Sequence, residues 1–109
     1  MNQQLSSVFA ALGDPTRLAI IQRLSEGEAS VQELAEPFDI SAPAISRHLK
    51  VLEQAGLITR RREAQLRPCR LELSRVREIR DWTKQMKRFW DESFDRMDDY
   101  LEEILEEKP

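Results

Sequence analysis

Ser41-Ala42-Pro43-Ala44-Ile45-Ser46-Arg47-His48-Leu49-Lys50-Val51-Leu52-Glu53-Gln54-Ala55-Gly56-Leu57-Ile58 is the stretch on which the fold turns. Ser41 offers a hydroxyl to the orphan amides of a helix start, and Pro43 falls in the first turn, where an amide has no intrahelical acceptor anyway. Ile45, Leu49 and Leu52 recur at helical spacing as a buried seam, and Gly56 stands at the C′ position that ends a helix. The same spacing turns Ala42, Ser46, Arg47 and Lys50 outward or along the rim. Upstream, Ser30-Val31-Gln32-Glu33 has the capping-box form, so another helix begins there, with Val31, Leu34, Ala35 and Phe38 on one apolar face. Phe38-Asp39-Ile40 is the turn between them. Two short helices joined by a tight turn, over about residues 30–56, form a helix-turn-helix with extended chain behind it.

That extended chain runs over about residues 57–73. Leu71 and Leu73 alternate with Arg70 and Glu72 as in a half-buried strand, and Arg60 to Arg62 lie on its partner. The tip, Glu63 to Pro68, lacks glycine, which predicts a longer loop rather than a two-residue turn. Before the helix-turn-helix, Leu5, Val8, Phe9 and Leu12 form the stripe of a short helix broken by Gly13-Asp14-Pro15. Asp14 caps a second helix, about Pro15 to Ser25, which presents Leu18, Ile21 and Leu24 inward and stops at Gly27. Glu28 to Ser30 leave room for a very short strand only. Ser74 caps a last helix over about residues 74–107, where Ile79, Trp82, Met86, Phe89, Trp90, Phe94, Met97, Leu101 and Ile104 recur every three or four residues. At 1.5 Å per residue it reaches roughly 50 Å, longer than so small a domain can cover alone, so it needs a partner. The aromatic residues in it are core or dimer seam rather than a ligand box.

The fold class is mainly α with a small β-hairpin, a single winged helix-turn-helix domain over residues 1–109 with a long C-terminal dimerisation helix. The chain has 109 residues, enough for one modest core. Its net charge of −3 conceals a segregation that matters more. Residues 1–40 carry two Arg against six Asp or Glu, residues 41–80 ten Lys or Arg against four Glu, and residues 81–109 five bases against ten acids. A basic middle can follow a phosphate backbone, while acidic ends discourage adsorption elsewhere. No apolar run approaches the roughly 20 residues of a membrane span, and Met1 to Ala10 has no secretory pattern, which places the protein in the cytoplasm. One cysteine excludes an intrachain disulfide.

Ala11-Leu12-Gly13-Asp14-Pro15-Thr16-Arg17-Leu18, then Glu33-Leu34-Ala35, then Ser46 to Ile58 resemble, in order and spacing, the ArsR family of winged helix-turn-helix repressors. The resemblance covers nearly the whole chain, from about Leu5 to the last helix. It implies a homodimer built from the first and last helices, with a DNA-reading helix and a β-wing on each protomer, and often simple autoregulation. The expected dimer contacts are Leu5, Val8, Phe9 and Leu12, with Trp82, Met86, Phe89, Trp90, Phe94, Met97 and Leu101.

The residues themselves point to double-stranded DNA as partner. Arg suits guanine O6 and N7, Ser a base edge or phosphate, and Lys a phosphate as a point charge. Arg47 and Ser46 are assigned to base edges and Ser41 and Lys50 to the backbone, with Ala42, Ala44 and His48 on the same helix. Ala42 replaces the glutamine the family often has there, so it can touch a thymine methyl but cannot read adenine by two hydrogen bonds. In the wing, Arg60, Arg61, Arg62, Arg67 and Arg70 are the candidates for phosphates or a narrowed minor groove.

Where metal sensors of this family place cysteines, the chain has Ser30-Val31-Gln32, poor ligands for a soft ion, and the last helix has no His. His48, the only histidine, lacks companions for a metal site. No metal or cofactor is expected, and the effector is unidentified. Cys69, near Arg67 and Arg70, opens a redox-responsive alternative if those cations lower its pKa. Another alternative is a winged-helix module that binds protein instead of DNA, against which the basic middle argues. An enzyme is not expected, since no nucleophile and base are paired and no Gly-rich phosphate loop exists.

Overall fold

A computed structural model describes residues 3–61 and 68–106 of the chain. Its elements are α1 (Gln3–Leu12), α2 (Pro15–Leu24), α3 (Val31–Ala35), α4 (Ala42–Gln54), β1 (Ile58–Arg60), β2 (Cys69–Leu71) and α5 (Leu73–Glu106). Internal contacts divide the chain into two compact units, Met1–Arg77 and Glu78–Pro109, with α5 continuing from one into the other.

In the first unit the core forms where α4 buries Ile45, Leu49 and Leu52 completely, against Val8 of α1, Ile20 of α2 and Leu34 of α3, each at most 1% exposed. The ends of α4 follow from local chemistry. Ser41 accepts a hydrogen bond from the amide of Ala44, with a Pro in the first turn. At the other end Gly56 takes a left-handed φ of 77°. Leu57 N donates to Leu52 O and Gly56 N to Glu53 O, both at 3.0 Å, the paired bonds of a Schellman motif. Leu52 and Leu57, its hydrophobic pair, are both fully buried.

α2 starts as expected, Asp14 accepting from Arg17 N at 3.0 Å with Pro15 at the first position. The inward face is a correction. Ile20 is fully buried and Leu24 nearly so, whereas Leu18 is 43% exposed, because the face turns one position toward Ile20 and leaves Ile21 half-covered. α1 shifts likewise. Leu5, Val8 and Ala11 form its buried stripe. Leu5 and Val8, expected at a dimer seam, are thus spent on the protomer's own core, and only Phe9 and Leu12 of that set keep surface.

The capping box of α3 is complete, Ser30 Oγ accepting from Glu33 N and Glu33 Oε1 from Ser30 N, each at 3.1 Å. The helix ends at Ala35, before Phe38, because Pro37 has no amide to continue it and disfavours the α conformation at Glu36.

β1 and β2 pair antiparallel, Ile58 opposite Leu71, Thr59 opposite Arg70 and Arg60 opposite Cys69. Ala29 bridges Cys69 from the other side through reciprocal backbone bonds of 3.1 and 2.8 Å, the very short strand expected near Glu28 to Ser30. The inward residues of β2 are therefore Cys69 and Leu71. Leu73, read as a strand residue, opens α5 instead and is 59% exposed. Ser74 does not cap that helix. It lies within the first turn, where its hydroxyl donates to Glu72 Oε1, and the Glu72 carbonyl accepts from Arg75 N and Val76 N.

α5 has 34 residues and buries none of them. Phe89, Trp90, Phe94, Met97 and Leu101 are each more than half exposed, and Trp82 and Met86 are half-buried. Phe89, Trp90 and Phe94 pack in sequence, ring centroids 5.4 and 6.0 Å apart. Charge is ordered along the helix. Bases predominate up to Arg88 and acids after it.

Gly56 is the position where the backbone admits least change. A Cβ there would carry a positive φ and stand 3.0 Å from two nitrogens of the Arg75 guanidinium. Gly56→Ala is expected to destabilise by about 1–2 kcal/mol, the usual cost of a left-handed non-glycine residue, read as a lower urea midpoint with an unchanged slope.

Candidate nucleic-acid interface

Once Ile45, Leu49 and Leu52 face inward, the opposite side of α4 carries Ser41, Ala42, Pro43, Ser46, Arg47 and Lys50, all exposed. Ala44 and His48 lie at its edge, half-buried. Arg47 and Lys50 are engaged by no ion pair among the described residues. An exposed convex helix with uncommitted donors matches what a major groove admits.

The wing arginines are placed differently. Arg60 is held by Glu53 at 3.1 Å and Arg61 by Glu28 at 2.6 Å, while Arg70 donates to Thr59 Oγ1 at 3.2 Å. The two ion pairs are solvent-accessible, each worth about 0–1 kcal/mol, so a phosphate can displace Glu53 and Glu28 at small cost. Arg62 and Arg67 lie outside the described residues.

A residue that sequence reading missed is Arg17. Its Nε donates to Ala11 O at 2.6 Å, and Nη1 lies 3.3 Å from His48 Nδ1. Asp14 Oδ2 is 3.8 Å from the same ring nitrogen. Arg17 therefore ties the end of α1 to the edge of α4. The contact spans 31 positions, and no local pattern announces it. The amide of Arg17 holds the Asp14 carboxyl below the usual carboxylate range, burial opposing and the Arg17 charge and the Thr16 amide assisting. The Ser30 amide and hydroxyl do the same for Glu33.

Cys69 is fully buried, and burial pushes its thiol up, with the Arg60 guanidinium only partly offsetting. This overturns the redox alternative, which needed a lowered pKa in an accessible thiol. Among the described residues no group of three His, Cys, Asp or Glu is arranged to hold a metal. Ser30 and Glu33 are committed to each other in the capping box of α3.

Known proteins share this arrangement. The pattern of a family described as a helix-turn-helix domain matches residues 12–61. The HTH-type transcriptional regulator Rv2034 of Mycobacterium tuberculosis is 43% identical over 83 residues, 72% of this chain and 78% of that protein. The transcriptional repressor SdpR of Bacillus subtilis is 43% identical over 61 residues, 56% of this chain and 68% of that protein. A crystal structure of an ArsR family transcriptional regulator superposes with a TM-score of 0.74 at 37% identity, covering 82% of this chain and 92% of the other. The chain belongs to the ArsR family. It is a DNA-binding transcriptional regulator with the winged helix-turn-helix fold. The short β1–β2 hairpin is the wing, and α4 is the second helix of the helix-turn-helix.

The depressed carboxyls fix a pH dependence. A group whose folded pKa lies below its unfolded value contributes stability that is complete above the unfolded pKa and lost as pH falls through the folded one. Glu33→Gln is therefore expected to unfold more readily than wild type at neutral pH. The difference should fade as pH falls through and below the ordinary carboxylate range, as followed by urea melts across an acid series.

Proposed function

We propose that the protein represses transcription as a homodimer on an imperfectly palindromic operator in the cytoplasm, without a sensed metal. The uncommitted donors on the exposed face of α4 carry this reading, with Ser46 and Arg47 at base edges and Ser41 and Lys50 on phosphates. Ala42 touches a base methyl, and Arg60, Arg61 and Arg70 exchange their present partners for phosphates. In a dimer two such helices about 34 Å apart address successive major grooves. Among the described residues no helix is long and apolar enough to cross a membrane.

α5 supports the dimer. Its exposed aromatic stripe is apolar surface of the kind that marks an interface. Phe89 and Trp90 lie at the midpoint of Leu73–Glu106. In an antiparallel pair centred there, Arg88 comes level with the partner copy's acidic position 91, Lys87 with 92, Lys84 with 95 and Arg80 with 99. A parallel pair would set like charges side by side, which is repulsive selection of orientation.

Two outcomes test the reading. Arg47→Ala is expected to lower discrimination between a fragment selected from a random DNA pool and bulk DNA by about 1–3 kcal/mol, with the fold intact. Equal discrimination at matched salt removes Arg47 from the base-reading role. For the dimer, Lys84→Glu, Lys87→Glu and Arg88→Glu combined should shift wild-type dimer toward monomer in sedimentation. So should Asp91→Lys, Glu92→Lys and Asp95→Lys combined, and mixing the two variants should restore a dimer. Monomeric wild type at working concentration defeats the proposal.

A further inference from the structure

Between α2 and α4 lies a hollow of about 190 Å³ lined by Arg17, Ala44, Arg47, His48 and Val51. Two guanidinium groups and an imidazole share it with small apolar walls. The Asp14 carboxylate is 3.8 Å from His48 Nδ1 and accepts from Arg17 N at 3.0 Å.

A guanidinium only donates, so where Arg17 Nη1 meets His48 Nδ1 the ring nitrogen accepts, and the neutral imidazole keeps its proton on Nε2. Arg17 Nε is held by Ala11 O, while Nη2 has no protein acceptor among the described residues. The hollow thus gathers unfilled donors from Arg17, Arg47 and His48 around a space with little to accept from them. Forked arginines and an N–H donor are the chemistry that recognises a phosphate oxygen set.

We propose that this hollow is a phosphate site in which Arg17 is both a donor and the positioning residue that fixes the His48 tautomer. The phosphate is a backbone group of DNA or a free phosphate ion. Continuity with the exposed face of α4 favours the backbone, and that part of the inference rests on the proposed docking of α4 on DNA.

The test uses the full chain, isotopically labelled, in two arms. Nitrogen NMR without DNA reads the His48 ring and the Arg17 and Arg47 Nε–H signals during titration with inorganic phosphate at constant ionic strength. Wild type should hold the Nε2–H tautomer and shift with phosphate. Arg17→Met should give mixed tautomers and a weakened phosphate response. The second arm measures DNA affinity against salt. Loss of one phosphate contact makes the slope of log K on log salt shallower by about 0.9, or about 1.8 for two protomers. Selected and random DNA should weaken within about twofold of each other, since a phosphate contact carries no sequence information.

A shallower slope with the mixed tautomer supports the backbone source. An unchanged slope with a phosphate-dependent shift at these three residues supports the free ion. An Nδ1–H tautomer in wild type overturns the positioning role. A slope and a phosphate response that both survive Arg17→Met overturn the site. If Arg17→Met fails to fold, Arg47→Gln, at an exposed position, should still weaken the phosphate response, and an unaltered response refutes the site. Because the NMR arm contains no DNA, failure of the operator reading alone leaves it intact and is told apart.

Discussion

Burial of Ile45, Leu49 and Leu52 determines where every other side chain of α4 points. A helix has one rotational freedom about its axis, and three fully covered side chains along one seam remove it. Ser46, Arg47 and Lys50 then have no choice but to face outward. The motif at the end of α4 extends the same constraint, because Leu57 closes over Leu52 and sends the chain directly into β1. The second helix of the motif and the wing are thereby set by one core, and the position of the wing strands follows from where that helix stops.

Electrostatics adds a division of labour between the two candidate contact elements. The cations of α4 stand uncommitted, whereas the described wing arginines are parked on Glu53, Glu28 and Thr59. Parked guanidiniums keep a defined geometry and give up little on transfer to phosphate. Arg17, which belongs to neither element, joins α1 to the edge of α4.

The parts of the fold visible in sequence were those carried by local rules. The caps at Asp14, Ser30 and Ser41, the ending at Gly56 and the seam of α4 each depend on residues within about one or two turns of each other. What escaped was set at a distance. Ile20 displaces Leu18 from the core because of what α2 packs on, and Leu5 and Val8 are claimed by the protomer before any partner can use them. Cys69 reads as a thiol among arginines until Arg60 and Ala29 flank it as strand neighbours. The outward face of the candidate interface was legible through periodicity, but the Arg17–His48 contact, lying between two helices, was not.

The order of charges along α5 has a consequence for the folding of that helix itself. A helix carries partial positive charge at its amino end and partial negative charge at its carboxyl end, so acids first and bases last relieve it. α5 does the reverse, and neither its first turn holds an acid nor its last turn a base. Taken singly it is a rod working against its own backbone field, and a second rod laid head to tail would cancel that field along its length. Dilution would then cost helical content as well as association, making the amount of ordered regulator a function of how much of it the cell contains.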